Sequence, residues 1–296
     1  MKRFINQCIV FIICLLTFNV HAAEKISIYT TNYPLKYFAE RIAGNHANVI
    51  LPLPTDIDPV FWDPKIKVIS QFQTADLIIL NGASYEKWIH KVSLPQQNVI
   101  DTSSSFKVDL IGTERDINHS HGLKGEHIHS GTAFTTWLDF SQATQQAKSI
   151  FLALSQRYPQ YDQVFQVNYD QLEEDLLTLD QELSTITNRK VNVPIIASHP
   201  VYQYLQKRYN LNIKSVFWEP DVPPNKEEWV AFQKLLGSFS AEWMIWEIRP
   251  NHEIAEELLK NNIQSVEVNP CANVPVEGDF MSVMRSNVRN IGKIFN

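Results

Sequence analysis

The amino-acid sequence predicts an α/β fold with two lobes of βα units, each containing a parallel sheet, joined by a long rigid linker helix. Short apolar runs rich in β-branched residues alternate with amphipathic segments in both halves of the chain, and this alternation is typical of parallel sheets. Between the halves lies one long apolar stripe at helical spacing. The length of 296 residues is near the size at which one core stops growing, so we expect one large or two medium domains.

The first half of the chain alternates between predicted strands and helices. Strands are predicted at 26–29, 49–51, 76–80 and 99–100, with helices at 34–43 and 64–75 and a short helix ending at Trp88. The run Asp76-Leu77-Ile78-Ile79-Leu80 is almost entirely apolar, as is typical of a strand buried in a parallel sheet.

The middle of the chain, from 139 to 187, shows helical patterns only. Seven apolar residues recur at alternating spacings of four and three: Phe165, Tyr169, Leu172, Leu176, Leu179, Leu183 and Ile186. They predict a helix of roughly 25 residues, about 37 Å long, which would cross a whole domain.

The second half returns to βα alternation. Strands are predicted at 193–196, 213–218, 243–246 and 266–268, with helices at 201–208, 225–236, 252–260 and 281–294. We therefore divide the chain into a signal peptide at 1–22, an N-terminal lobe at 23–140, a helical linker at 141–190 and a C-terminal lobe at 191–296. Two lobes on one helix form a cleft, and ligands in such folds bind where strand carboxyl ends point.

The first residues have the features of a secretory signal peptide. A basic pair at positions 2 and 3 precedes an apolar run to position 18, and compact residues allow cleavage near Ala22 or Ala23. The run is short for a membrane anchor, which is the alternative, and Cys14 lies inside the run, not after it as a lipoprotein requires. We expect an exported, periplasmic protein in which Cys271 is the only remaining thiol, so no internal disulfide forms.

The composition excludes two classes of protein. A net charge of −6, from 26 basic and 32 acidic residues, argues against nucleic-acid binding, which favours a basic face. A charged fraction of 20% with 11% aromatic residues argues against a disordered chain.

Histidines are the main chemical signal in the sequence. Four of the nine lie within eleven residues, in a glycine-rich segment at 118–131 that we predict to be a loop: His119, His121, His127 and His129. Imidazole is a preferred ligand of Zn²⁺, Cu²⁺ and Ni²⁺, and residues i and i+2 of an extended segment point the same way. The alternative is a solvated polar loop with incidental histidines.

Two further residues stand where ligand sites form in α/β folds. His199 directly follows a predicted buried strand, although a histidine there can also be a satisfied core residue. Glu247 ends the predicted strand 243–246 in the same way. It is the natural carboxylate to face His199 if the strands are neighbours, or else it caps the helix that begins at His252.

The mature chain resembles the zinc/manganese-binding proteins of bacterial ABC importers, the solute-binding proteins of cluster A-I. The matching segments are 28–38, Asp58-Pro59, 75–82, Trp137-Leu138-Asp139, His199-Pro200-Val201-Tyr202 with Arg208-Tyr209, and Gly278-Asp279-Phe280. The resemblance implies two lobes on a rigid helix, and His119–His129 sits where this family carries a His-rich loop.

The metal ligands that the resemblance implies are mostly replaced. The family's first His would follow Asp58-Pro59, where this chain has Val60, and its second would stand at Thr135. The third matches His199, and the fourth would align near Asn269 or Cys271. We therefore predict a rebuilt site in which loop histidines join His199 and Glu247, since about 20 Å of extended chain separates His129 from Thr135 at most. Cys271 is a weaker candidate and is expected to be buried.

The resemblance implies a function without catalysis. We expect a monomeric protein that captures a divalent metal and delivers it to a permease driven by an ATPase. Zn²⁺ is the expected metal, and Mn²⁺ or another divalent transition metal is the alternative. Two alternatives stay open: the same fold binding a metal chelate or small organic ligand, or an exported metallohydrolase. The sequence has neither an H-E-x-x-H helix nor a recognisable nucleophile elbow. Because the ligands must be deprotonated, metal affinity should fall as pH drops.

Overall fold

The computed structural model describes residues 25–55, 57–113, 118–120, 126–128 and 131–296. The predicted signal peptide, His121 and His129 lie outside these residues. Within the described residues, every helix is too short or too polar to cross a membrane.

The N-terminal lobe is built on a four-stranded parallel sheet. In chain order its elements are β1 (Ile26–Thr30), α1 (Tyr33–Ala43), β2 (Ala47–Ile50), α2 (Ile66–Gln73), β3 (Leu77–Leu80) and β4 (Val99–Asp101). The strand order is β2-β1-β3-β4, with Ile28 of β1 opposite Val49 and Leu77. All four residues of β3 are buried, as its continuous apolar run predicts.

The rest of this lobe consists of short elements. There are 3₁₀ turns at Pro59–Phe61, Lys87–Lys91, Thr102–Asp109 and Thr136–Leu138, and two short strand pairs. The pairs join β5 (Gly112–Thr113) to β8 (Gly131–Thr132), and β6 (Asn118–Ser120) to β7 (Glu126–Ile128), both antiparallel. The short helix predicted to end at Trp88 is thus the 3₁₀ turn Lys87–Lys91.

Two long helices connect the sheets along the chain, α3 (Phe140–Arg157) and α4 (Asp162–Thr187). Helix α4 has 26 residues, which agrees with the length predicted from its apolar stripe. Six of the seven stripe residues are at most 4% exposed, and Ile186 is partly buried. The linker therefore packs along its whole length.

The C-terminal lobe repeats the design of the first. Its elements are β9 (Pro194–Ala197), α5 (Gln203–Arg208), β10 (Asn212–Ser215), α6 (Lys226–Ser238), β11 (Trp243–Trp246), α7 (His252–Lys260), β12 (Gln264–Glu267) and α8 (Phe280–Ile294). All strands are parallel in the order β10-β9-β11-β12. The predicted fold class, two α/β lobes with parallel sheets and a long helix, is confirmed; the exact domain boundaries stay a prediction.

One strand ends earlier than predicted, and this difference shapes the candidate site. The strand expected at 213–218 ends at Ser215. Beyond it, the Val216 N–H donates to the Ala197 carbonyl at 2.9 Å, and the Trp218 N–H donates to the Ser198 carbonyl at 3.0 Å. The chain therefore follows the carboxyl end of β9 before it leaves the sheet, and this path carries Glu219 toward His199.

The two lobes share a core and direct hydrogen bonds. One buried cluster includes Ile28 of the first sheet, Leu172 of α4 and Ile195 of the second sheet. The indole N–H of Trp137 donates to the Pro270 carbonyl at 2.7 Å across the lobes. This continuous packing fixes the position of one lobe relative to the other.

Candidate metal centre

His199 occupies the turn at the carboxyl end of β9. The preceding Ser198 N–H donates to the Ile245 carbonyl of β11 at 3.0 Å, and the Val201 N–H donates to the His199 carbonyl at 3.0 Å. These bonds fix the backbone on both sides of the imidazole. The residue is only 8% exposed, at the edge of the sheet where the family resemblance places a ligand.

Glu247 faces His199 from the neighbouring strand. It directly follows β11, and its Oε1 lies 3.1 Å from Nδ1 of His199. The alternative role predicted for Glu247, capping of α7, is wrong, because the side chain of Asn251 caps that helix by accepting from the Ile254 N–H at 2.9 Å. The predicted pairing of Glu247 with His199 is the one that the fold produces.

Glu219 is the residue that sequence reasoning missed. The segment at 219–221 reads as an acidic turn, yet Oε1 of Glu219 lies 3.6 Å from Nε2 of His199. The signal was available in principle: Glu219 follows a predicted strand just as His199 and Glu247 do. The segments that follow three adjacent strands, β10, β9 and β11, thus each bring a polar side chain to the carboxyl edge of the sheet.

The two carboxylates control the charge of the imidazole. Burial lowers the pKa of His199, but the contacts with Glu219 and then Glu247 outweigh it and raise this pKa to about 9. In the metal-free protein His199 is therefore protonated at neutral pH, beside both carboxyl groups. A metal ion that binds here has to displace a proton.

The two positions at which the resembled family carries its first histidines are closed to metal. Val60 lies in the 3₁₀ turn Pro59–Phe61, is 4% exposed and packs in the shared core. Thr135 is 3% exposed, and its hydroxyl donates to the Val201 carbonyl of the other lobe. Both residues therefore have structural roles: Val60 packs in the core, and Thr135 forms a hydrogen bond between the lobes.

The fourth family position offers no ready ligand either. The side-chain oxygen of Asn269 accepts from the Cys271 N–H at 2.7 Å. Cys271 is buried, as predicted, and burial, followed by the charge of Asp279, raises the pKa of its thiol to about 12. The thiolate form that binds metal is therefore disfavoured.

Residues on either side of the histidine-rich segment contact the C-terminal lobe. The Ile111 N–H donates to the hydroxyl of Tyr204 at 3.2 Å, and that hydroxyl donates to the Ala133 carbonyl at 2.9 Å. Ile111 and Ala133 are therefore both held by Tyr204 of α5, a helix that begins four residues after His199. Within the segment, His119 and His127 are register partners in the β6–β7 ladder.

The described residues do not contain a complete metal site. No three His, Cys, Asp or Glu side chains within these residues converge on one ion position. The geometry of His199 explains this result, because Glu219 and Glu247 contact different ring nitrogens. The predicted contributions of the loop histidines stay a prediction.

A match to a protein-family model shows which family this chain belongs to. The model of the zinc-uptake complex component A, periplasmic (ZnuA), matches residues 28–294. The chain belongs to the ZnuA family. The predicted resemblance is thereby confirmed, and the departures at Val60 and Thr135 are features of a divergent ZnuA-family member.

Two individual relatives are distant in sequence. The zinc-binding lipoprotein AdcA of Streptococcus pneumoniae is 24% identical over 279 residues, which cover 90% of this chain and 55% of AdcA. The high-affinity zinc uptake system protein ZnuA of Bacillus subtilis is 25% identical over 206 residues, covering 68% of this chain and 64% of that protein. The chain thus spans about half to two thirds of these relatives.

A solved structure supports the same fold. The Zn(II)-bound AdcA of Streptococcus pneumoniae superposes with a TM-score of 0.78 at 21% identity, over 92% of this chain and 58% of that one. At this identity the likeness establishes the architecture of this ZnuA-family chain alone.

Proposed function

We propose that this ZnuA-family protein is an exported periplasmic receptor that captures zinc and delivers it to the permease and ATPase of an ABC-type importer. The family match over residues 28–294 supports a solute-binding role, and the zinc named for AdcA and for the Bacillus ZnuA supports the cargo. The chain performs no catalysis in this role: it binds, carries and releases the ion as a monomer.

The observation that carries the proposal is the buried His199 flanked by carboxylates at the edge of the second sheet. Zn²⁺ takes about four nitrogen, oxygen or sulfur ligands. His199 supplies one, and Glu219 or Glu247 supplies a carboxylate. The remaining ligands come from the predicted set of His119, His121, His127 and His129, which lie in sequence between Ile111 and Ala133, two residues that bond to Tyr204 of α5.

The choice of metal follows from the donors. Imidazole with carboxylate suits Zn²⁺ and also accepts other divalent transition metals, while Mn²⁺ binds more weakly to such a set. Titration of the metal-stripped chain from residue 23 with Zn²⁺, in competition with a chromogenic chelator, tests the proposal. We expect one ion per chain with a Kd tighter than about 10 µM at pH 7.5; absence of saturable binding would overturn it.

Three variants locate the site in the same titration. His199→Ala and a quadruple loop variant with serine at the four histidines should each weaken binding by at least about tenfold, since each removes metal ligands. His252→Ala is the matched control, because His252 is exposed and contacts only Glu256 of its own helix among the described ion pairs. Its affinity should equal that of the unmodified chain.

A second candidate function has one specific observation in its favour. Val60 and Thr135 both hold structural positions where the family would place imidazoles, which suits a cleft that binds a metal chelate or small organic ligand. If neither His199→Ala nor the loop variant changes zinc affinity, this function replaces the first.

A further inference from the structure

The imidazole of His199 separates its two carboxylate neighbours. Nδ1 lies 3.1 Å from Oε1 of Glu247, whereas Nε2 lies 3.6 Å from Oε1 of Glu219. The lone-pair directions of the two ring nitrogens diverge, so an ion bound to one nitrogen lies on the side of the ring away from the other. The two carboxylates therefore have different relationships to any ion on this histidine.

The distances distinguish a hydrogen bond from a pair of ligands. A separation of 3.1 Å between nitrogen and oxygen lies in the ordinary range for N–H···O bonds. A tetrahedral zinc ion with bonds near 2.0–2.1 Å to nitrogen and oxygen holds those two atoms about 3.4 Å apart. The 3.6 Å between Nε2 and Glu219 is close to this value and too long for a strong hydrogen bond.

We infer that Glu219 is the carboxylate that shares the metal ion with Nε2 of His199, and that Glu247 accepts the Nδ1–H and orients the ring. This division of roles rests on the proposed zinc-binding function and revises the prediction of Glu247 as a ligand. Histidines that bind metal commonly donate their other N–H to a carboxylate, which fixes both tautomer and ring orientation. Glu247 matches that partner by its position on the neighbouring strand.

The local backbone supports a ligand role for Glu219. The backbone hydrogen bonds of Val216 and Trp218 to the end of β9 bring the chain, and with it Glu219, beside the ring. The side chain of Glu219 is 38% exposed, so an incoming ion can reach it from solvent. The aromatic ring of Phe217 lies near His199 at a centroid distance of 6.4 Å, on the same segment.

The roles are tested with two isosteric variants. Glu219→Gln removes a charged ligand and should weaken Zn²⁺ binding by about 100-fold or more. Glu247→Gln retains a carbonyl oxygen that accepts from Nδ1–H, so its loss should be about tenfold or less, at the lower end of the effect of such orienting partners. Glu242→Gln, on an exposed residue, is the control and should be neutral.

Spectroscopy of the Co²⁺-substituted protein provides a readout that a merely structural role would not change. The visible absorption bands should shift in Glu219→Gln and stay as in the unmodified chain in Glu247→Gln. Glu247→Leu, which cannot accept the hydrogen bond, should weaken binding more than Glu247→Gln. Far-UV circular dichroism of each metal-free variant controls for folding.

The outcomes separate the proposed function from the division of roles. If the unmodified chain binds no zinc, the proposed function and the inference both fall. If it binds zinc but Glu219→Gln has unchanged affinity and cobalt bands, only the inference is overturned. The inference is likewise overturned if Glu247→Gln is the variant whose bands shift.

Discussion

Asp180 of the linker helix should be one of the most sensitive side chains for stability. Its carboxylate accepts from Nε of Arg208 at 2.9 Å, from Nη2 of Arg208 at 2.5 Å and from the hydroxyl of Tyr209 at 2.9 Å. Asp180 is 9% and Tyr209 4% exposed. Since the Phe140 N–H in turn donates to the Tyr209 hydroxyl at 3.4 Å, the cluster joins α3, α4 and α5.

The expected cost of Asp180→Ala follows from these contacts. Removal of one partner from a buried ion pair costs about 3–5 kcal/mol. The side chain of Arg208 is 37% exposed, and Asp139 lies 3.7 Å from its Nε, so part of its charge stays compensated. We therefore expect a loss of about 3 kcal/mol in the free energy of unfolding.

Urea unfolding of the metal-free chain, followed by tryptophan fluorescence, measures this loss. Asp170→Ala is the control on the same helix, because Asp170 is exposed and accepts only from Gln166 among the described hydrogen bonds. The double replacement Asp180→Leu with Arg208→Met should cost less than Asp180→Ala, because it leaves no charge without its partner. If Asp180→Ala and Asp170→Ala agree within about 1 kcal/mol, the cluster does not stabilise the fold and the reasoning fails.

Three further outcomes are expected. Leu176→Ala, at a fully buried position of α4, should cost about 2–5 kcal/mol in urea unfolding, while its 46% exposed neighbour Leu177→Ala should cost under about 1. Gly82→Ala should destabilise by at least about 2 kcal/mol, since φ is +73° and a Cβ would lie 2.0 Å from a carboxylate oxygen; Gly112→Ala, with nothing within 4 Å, should be tolerated. The pKa of His199 is raised to about 9 in the folded protein. Protonated His199 therefore adds at most about 3 kcal/mol to the free energy of unfolding of the metal-free protein. This contribution is complete below pH 6.5, the ordinary pKa of histidine, and decreases as the pH rises to 9. Thermal melts at pH 6 and 9 should show this loss, and His199→Gln should remove it.

The sequence predicted the secondary structure well wherever a periodic pattern met a buried face. The stripe in α4 is such a case, because residues three and four apart lie on one side of a helix. The end of β10 was predicted less well, since Val216 and Trp218 make strand-like hydrogen bonds to the turn after β9 although the ladder ends at Ser215. The local sequence pattern cannot distinguish residues inside a strand ladder from residues that continue it with hydrogen bonds to a turn.

The candidate site was only partly predictable, for a topological reason. His199 and Glu247 follow strands whose apolar runs are clear in the sequence, so their placement at a sheet edge could be inferred. Which strands are neighbours depends on crossovers, and the order β10-β9-β11 is what brings Glu219 to the other side of His199. The ring nitrogen that each carboxylate contacts depends on side-chain geometry, which no spacing in the sequence encodes.

The distribution of donors between the lobes has a mechanical consequence. His199, Glu219 and Glu247 all belong to one lobe, while the family positions in the other lobe carry Val60 and Thr135, which now serve packing and an inter-lobe hydrogen bond. Opening of the cleft would break that bond and part of the shared core without separating the described donors from one another. If the predicted loop histidines supply the remaining ligands, as proposed, ion capture depends less on lobe closure than on these imidazoles, because His199, Glu219 and Glu247 keep their arrangement when the cleft opens.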